Sequence, residues 1–484
     1  MTPELDVAIV GSGFSGLCMG IKLAEEGKRS FAIFEKADRV GGTWRDNHYP
    51  GCACDIPSHL YSFSFEPNPR WSRKFSPQPE ILAYLEGCVE RYGLRPHVRL
   101  GHEVTRVELD PASLRWRLDF ASGKHVMARH VVLGIGALSR PAYPDIPGLD
   151  EFRGHTFHSA AWDHAYAAEG KDVAVIGTGA SAIQFVPELA PRVRRLDVYQ
   201  RTPPWILPRL DRAFSPREMA LFERVPGLAR LYRWWIYASL EWRVMGFTID
   251  HRIMRMVEYF GRKHIAQQIA DPRLRDAVTP KYLPGCKRIL LSDDYYPALA
   301  RPNVALVTDA IERVTERGVL TRDGTLRAVD AIVLGTGFRV TDFLTPLVVI
   351  GRDGTDLNDA WRSDAEAYLG TSVTGFPNLS LLVGPNTGLG HNSMVFMIEA
   401  QVGHVMCTLH EVERRRARAI DVRPAVQASY NAALQPRLER SVWQSGCKSW
   451  YLATSGKNTT LWPGFSVEFW LRTLRLDPEA YVFE

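Results

Sequence analysis

Gly11-x-Gly13-x-x-Gly16 stands between an apolar run, LDVAIV, and a helical pattern, FSGLCMGIKLAEEG. The first glycine allows a tight turn, the second lets backbone approach a pyrophosphate, and the third lets helix pack on strand. A helix starting there offers unpaired N–H groups and a positive dipole end to phosphate. A second apolar run, SFAIFE, ends on Glu35, a carboxylate placed to accept both hydroxyls of a ribose. The pattern recurs in DVAVIGTGASAIQFVPELA, where Gly177, Thr178, Gly179, Ala180, Ser181 and Ala182 form the turn. The strand after it, RLDVYQRTPPW, carries Arg201 and Thr202 where an acid would select NAD. A guanidinium there pairs with a 2′-phosphate, and charge-assisted contacts of about 1.5–3 kcal/mol each favour NADPH over NADH.

Two such turns predict an α/β protein with two Rossmann-like dinucleotide-binding domains, passing electrons between two cofactors. The pair Gly41-Gly42, followed by Thr43 and Trp44, marks the first as the flavin site and makes FAD the expected flavin. DAIVLGTGF, from Asp330 to Phe338, is a strand returning to a glycine-rich turn late in the chain, which predicts discontinuous domains. The expected division is 1–142 with 341–484 for FAD, 143–202 with 286–340 for NADP, and a helical insertion over 203–285 in the second domain. Within that insertion, LYRWWIYASLEW (Leu231 to Trp242) is read as a buried helix.

Composition excludes several classes. The chain has 484 residues, 45% hydrophobic and 23% charged, with a net charge of +5 spread over scattered arginines, and nucleic-acid binding is not expected. Arg414, Arg415 and Arg416 follow Glu411 and Glu413 and read as a solvated helix face. No apolar run of about 18 residues is present, so stable membrane insertion is not expected. Seven cysteines without paired spacing predict reduced thiols and a cytoplasmic protein, and a first strand starting by Val7 leaves no room for a signal peptide. Cys52 and Cys54 flank a single residue, unsuited to a redox pair or a zinc site, and no metal set is read. No C-x-x-C or C-x₄-C follows a glycine turn, which disfavours a flavin disulfide reductase.

Between the two glycine turns lies FRGHTFHSAAWD, too polar for a buried strand and without helical period. Phe152, Gly154, His158, Trp162 and Asp163 fit F-x-G-x-x-x-H-x-x-x-W-[P/D], which resembles the fingerprint of type I Baeyer–Villiger monooxygenases, class B flavoprotein enzymes. The related N- and S-oxygenating flavin monooxygenases usually end this pattern in Tyr or Phe with Lys or Pro, so Trp162-Asp163 leans to the Baeyer–Villiger side. The resemblance extends over nearly the whole chain, through DNHYPGCACDIPSHLYSFSF, PGCKRILLSDDYY, SGCKSWY and VGPNTGLGHNSMVFMIEAQ.

It implies FAD contacts at Gly11, Gly13, Gly16, Glu35, Gly42, Thr43, Trp44, Asp55, Tyr61 and Val104. NADP contacts are implied at Gly177 to Ala182, Arg201, Thr202, Lys287 and Trp450, the last on a segment that closes over the nucleotide. His158 is implied as a positioning residue. Arg288, oriented by Asp55, is implied as the catalytic group, with Asp293 and Asp294 as alternative salt-bridge partners. The implied reaction takes hydride from NADPH to FAD and forms a C4a-peroxyflavin with O2. Attack on a small-molecule ketone then gives a Criegee-type adduct and an ester or lactone, in a monomer or homodimer. N- or S-oxygenation and a non-catalytic NADPH-sensing flavoprotein remain as alternatives. The family often has Arg two positions before the flavin-contacting Asp; Ala53 stands there, and Arg45 is the expected substitute. ATSGKNTTLWPG after Trp450 departs from better-known members, so substrate preference is not carried over.

Overall fold

The computed structural model describes residues 4–447 and 449–484. Its strands and helices appear where the apolar runs and glycine turns demand. β1 (Glu4–Val10) and β2 (Phe31–Phe34) flank α1 (Phe14–Glu26), which ends at Gly27 in the left-handed region, φ 63°. Val7, Ala8, Ile9 and Val10 are all buried because both faces of a parallel sheet are covered. β3 (Val98–Arg99), β4 (Val104–Asp110), β5 (Arg115–Phe120) and β6 (His125–Leu133) complete the early part of this sheet.

A second, fully parallel sheet follows. β7 (His155–His158), β8 (Asp172–Ile176), α2 (Ala182–Leu189) and β9 (Arg195–Tyr199) begin it. β10 (Ile206–Leu207) and β11 (Leu290–Leu291) then pair with each other, and the segment between them is helical. Its two longest helices are α3 (Leu228–Glu241) and α4 (Arg252–Gln268). The chain returns to the second sheet with β12 (Val304–Val307), forms the antiparallel β13 (Ile311–Thr315), β14 (Gly318–Thr321) and β15 (Leu326–Ala328), and adds β16 (Ala331–Leu334). β17 (Val348–Ile350) and β18 (Leu379–Leu381) rejoin the first sheet, followed by α5 (Met394–Arg415) and α6 (Ser466–Thr473).

The first sheet runs β17-β4-β5-β6-β1-β2-β3, with β18 also on β6; the second runs β12-β9-β8-β16-β7. In each, a glycine turn follows the strand around which the order reverses, β1 or β8, and such switch points open a crevice for ligands.

One expectation holds at this level and one fails. FRGHTFHSAAWD, too polar for a buried strand, supplies the largely unburied strand β7, in register with β16 from His155↔Ala331 to His158↔Leu334. Its polarity is that of an edge strand, with one side against β16 and the other unpaired. The aromatic helix is not buried as expected. α3 turns Arg233, Ile236, Leu240 and Glu241 inward and leaves Trp234, Trp235 and Trp242 exposed. Buried backbone carbonyls and hydroxyls meet the two charges, so the polar residues are the ones that fit inside. No helix among the described residues is long and apolar enough to cross a membrane.

Candidate active site

Gly11 has φ +98°, and a Cβ there would lie 2.6 Å from the Gly134 carbonyl oxygen. Gly13, the N-cap of α1, has no side-chain cap, and its Cα faces Gly42, where an added Cβ would come within 3.0 Å of it. Gly16 packs so closely on Gly11 that no side chain fits. The walls are therefore backbone, with helix N–H groups directed outward, which suits a pyrophosphate. Thr43 opens the short helix after Gly42, and the buried Trp44 donates Nε1–H to the Tyr61 hydroxyl at 3.2 Å. Val104 starts β4, just after a segment whose His102 N–H donates to the Glu35 carbonyl at 2.8 Å.

Glu35 itself is already fully engaged. Its carboxylate accepts from Ser12 N (3.0 Å), Ser12 Oγ (2.7 Å), Ala37 N (3.1 Å) and Arg45 Nη1 (3.0 Å). A buried carboxylate must be satisfied. A ribose reaching it would replace the Ser12 hydroxyl or Arg45 rather than find free lone pairs. Arg45 also holds Asp46 at 2.7 Å and the Arg39 carbonyl at 2.7 Å, so it is committed to this side of the cleft and does not substitute for a guanidinium at Ala53. Arg209 stands nearer that place: its Nη2 donates to the Cys54 carbonyl at 2.9 Å, and its field reaches Asp55.

The second turn repeats the first. Gly177 has φ +111°, and a Cβ there would sit 2.4 Å from the Gly335 carbonyl oxygen. Thr178 is buried against Thr202, its hydroxyl 3.5 Å from that residue's carbonyl, while Gly179 and Ala180 are open. Ser181 and Ala182 begin α2, again without a side-chain cap. Arg201 is exposed at the end of β9, and burial together with the nearby Arg201 charge pushes Lys287 below its ordinary pKa. Two cations sharing one surface favour a bound anion. The turns meet through Gln184 of α2, which accepts from Tyr49 Oη at 3.0 Å and donates to the Ala53 carbonyl at 3.0 Å.

Between them stands an ion pair. Arg288 donates through Nε (3.0 Å) and Nη2 (2.5 Å) to Asp55 Oδ2, and both side chains remain about one-third exposed, at 30% and 31%. Burial alone would raise the Asp55 pKa; the charge and hydrogen bonds of Arg288 outweigh it and hold the carboxyl below its usual range. Asp55 in turn raises the Arg288 pKa further. Tyr451, fully buried, brings its hydroxyl to the same guanidinium, and burial pushes that phenol up to about 12. The Arg288 partner is thus Asp55, 233 positions away, and neither Asp293 nor Asp294; Asp293 accepts the Arg209 amide instead, at 2.9 Å.

Known proteins carry the same arrangement of elements. A family model described as flavin-binding monooxygenase-like matches residues 4–350. A Baeyer-Villiger monooxygenase of Pseudomonas aeruginosa is 54% identical over 98% of this chain and 90% of its own length. The chain belongs to the Baeyer–Villiger monooxygenases. A relative of that name from Streptomyces coelicolor is 48% identical over 98% of this chain and 92% of its own length. The crystal structure of cyclohexanone monooxygenase from Rhodococcus sp. Phi1 bound to NADP+ superposes with a TM-score of 0.90 at 30% identity, covering 100% of both chains.

In this Baeyer–Villiger monooxygenase the fingerprint residues form a joint. Gly154 lies where a side chain would strike the Phe152 ring and the Asp330 carbonyl. Trp162 packs between Phe157 (5.1 Å) and Phe185 of α2 (5.2 Å), tying β7 to that helix. Asp163 receives the Ala165 amide at 2.8 Å and His155 Nε2 at 2.9 Å. His158, whose pKa is lowered by burial, accepts from Ala160 N at 3.0 Å through Nδ1 and contacts Tyr143 and Phe338.

The cysteines correct the expectation of reduced thiols throughout. Cys286 and Cys447 are joined as a disulfide, Cα to Cα 6.1 Å, across 161 positions. Each belongs to a Gly-Cys-Lys sequence, and no local spacing reveals that folding brings them together; Lys448 lies outside the described residues. The bond links the segment of Lys287 and Arg288 to the segment of Trp450 and Tyr451. It also removes the compositional argument for a reducing compartment. Cys52 and Cys54 are buried packing thiols, Cys52 pushed up to about 12 by burial. Digestion under non-reducing conditions is expected to yield one peptide pair linked through Cys286 and Cys447 that separates on reduction. Quantitative alkylation of both cysteines before reduction would count against the bond. Trp450 is 43% exposed and rests on Tyr451, ring centroids 4.3 Å apart.

Tyr451, Arg209 and Gln184 were not singled out from the sequence. Tyr451 adjoins Trp450 in SGCKSWY and was legible as a neighbour; Arg209 and Gln184 carry no local motif.

Proposed function

We propose that this Baeyer–Villiger monooxygenase converts a small-molecule ketone to an ester or lactone, using FAD, NADPH and O2. The observation that carries the reading is the Arg288–Asp55 ion pair between two backbone-walled glycine turns. FAD, reduced by NADPH, supplies the electrons that activate O2 for insertion next to the ketone carbonyl.

The flavin is held by Gly11, Gly13, Gly16, Gly42, Thr43, Trp44, Tyr61 and Val104, with Glu35 exchanging a present donor for ribose. NADPH is held by the turn from Gly177 to Ala182, by Thr202, and by Arg201 and Lys287 at its 2′-phosphate. Residues 1–142 and 341–484 serve the flavin and 143–202 and 286–340 the nicotinamide cofactor, with 203–285 forming one wall.

Arg288 is the catalytic residue. Its Nε and Nη2 protons are taken by Asp55, which fixes the plane of the guanidinium. The remaining N–H donors face negative charge as it develops on the oxygen of the reacting carbonyl. A charge fixed before reaction needs no reorganisation in the transition state. Lysine would lack the planar fork that satisfies acid and substrate together. Asp55 orients this group, and Arg209 partly offsets the acid's charge from the other side. The buried Tyr451 adds its hydroxyl beside the guanidinium. Trp450 covers the nicotinamide side.

Incubating flavin-loaded protein with NADPH, ¹⁸O2 and panels of linear, cyclic and bulky ketones tests this. Ester or lactone carrying one ¹⁸O, formed with ketone-dependent NADPH consumption, is the expected result. Oxygen found only in amines or sulfides would reassign the chain to heteroatom oxygenation.

A further inference from the structure

α3 is amphipathic in the inverse sense. Inside, Arg233 Nη1 donates to the carbonyls of His59 (3.0 Å), Leu60 (2.9 Å) and Ser62 (2.9 Å). Glu241 accepts from Asn392 (2.6 Å) and Ser466 (2.8 Å) and from the Val467 amide (3.2 Å). Outside, Leu231, Trp234, Trp235 and Trp242 are exposed by 63%, 64%, 59% and 67%. Glu241 pins the start of α6 to the end of α3, and α6 carries exposed apolar side chains of its own, Val467, Trp470 and Leu471. Scattered exposed leucines are ordinary, whereas several tryptophans gathered on one helix face mark a contact surface.

The charge around the patch selects the occupant. Over 228–268, Arg230, Arg252, Arg255, Arg262 and Lys263 are exposed, against Asp250, exposed, and Glu258, partly so, while Arg243 lies within the field of Asp55. Glu258 and Arg262 pair with each other at 2.8 Å, which leaves Arg230, Arg252, Arg255 and Lys263 against Asp250. α6 carries Arg472, which Glu468 of the same helix holds at 2.9 Å, and the exposed Arg475 follows it. A two-fold contact with a second copy would set this basic face against itself. An anionic lipid surface meets both features, with tryptophans at headgroup depth and arginines on the phosphates.

We propose that the α3–α6 face docks this enzyme reversibly on anionic phospholipid membranes, without spanning them. The inner side of the same helix packs Ile236 and Leu240 on Leu60, which lies on the segment just after Asp55. Docking therefore places Leu60 and Ile56, the residue after Asp55, about one helix thickness from lipid, roughly 10 Å, which offers an apolar substrate dissolved there a short route toward the Asp55–Arg288 pair. The delivery step rests on the ketone reading above; the docking does not, and the following test reads docking alone.

Flavin-loaded protein is sedimented with vesicles of phosphatidylcholine containing about one-third phosphatidylglycerol, and with phosphatidylcholine alone. Binding is expected only to the anionic vesicles, weakening as salt rises, with a blue shift of tryptophan emission. The triple variant Trp234→Gln, Trp235→Gln, Trp242→Gln should lose at least about tenfold in partitioning. Arg230→Glu and Arg475→Glu should each lose at least about fivefold, as expected for one positive charge near such a surface. These positions are exposed, and retained flavin absorbance reports that each variant is folded. Equal binding to neutral vesicles, no binding to either, or no loss in the variants overturns the proposal. A dimer in sedimentation velocity that the tryptophan substitutions dissociate, without vesicle binding, would assign the face to a second copy instead.

Discussion

Replacing Arg288 with alanine is expected to leave flavin bound and to lower ester formation by about 100- to 1,000-fold or more, the effect of deleting a donor aimed at developing oxyanion charge. The cradle proposed for the flavin is built from other residues: the first glycine turn, Trp44 and the buried Glu35 stand without Arg288. The loss is larger than a missing hydrogen bond because Asp55 is left behind. A lone carboxylate at that edge opposes the same negative charge that the ion pair was arranged to accept. Arg288→Lys should recover only part of the rate, since one ammonium cannot hold Asp55 Oδ2 through two fixed donors and present further planar donors. Flavin absorbance and product chromatography on one sample separate binding from chemistry. Ester turnover within a fewfold of the parent enzyme would remove Arg288 from the catalytic role.

The pair also sets a pH expectation. Asp55 is held below the ordinary carboxylate range, so its charge, and the stability it contributes, is present above that range and lost only as pH falls through the lowered value. Arg288 remains charged at every pH of interest. Ester formation is therefore expected to show no step from this pair between about pH 6 and 8, because neither partner titrates there. A rate step in that window that vanishes in Asp55→Asn would contradict this.

Arg201→Ala is expected to weaken NADPH by roughly 10- to 150-fold, which corresponds to the loss of one charge-assisted contact of about 1.5–3 kcal/mol, and to leave NADH within about threefold. Arg201 is exposed at the end of β9 with Lys287 close by, and Lys287 is the more desolvated of the two. Removing Arg201 takes away the charge that lowers the Lys287 pKa, so Lys287 retains part of the phosphate attraction. The double variant with Lys287→Ala should then lose nearly all preference for NADPH. Steady-state KM for both nucleotides measures this directly. Equal weakening of NADPH and NADH would show that Arg201 does not touch the 2′-phosphate.

Both glycine turns were legible because their requirements are local. A left-handed glycine at Gly11 or Gly177, an apolar strand before it and a helix after it fall within one short window of chain. The departure at Ala53 was equally visible, but its consequence was not. Arg45 lies near it in sequence yet is bound to Glu35 and Asp46, while Arg209, from beyond β10, is the cation that arrives beside Cys54. Proximity along the chain was a poor guide because the two candidates approach from different sheets.

The sequence by itself determined the local machinery: two glycine turns between strand and helix, an acid after one and an arginine after the other, and a linker pattern pointing to a family. Tertiary structure alone decided which face of α3 meets water, which two cysteines bond, and that Tyr451 joins Asp55 at Arg288. Periodicity reveals that a helix has two unlike faces, but not which one finds partners for its polar groups. Here the inward face had carbonyls for Arg233 and amide and hydroxyl donors for Glu241, so the charges were buried and the tryptophans were left outside.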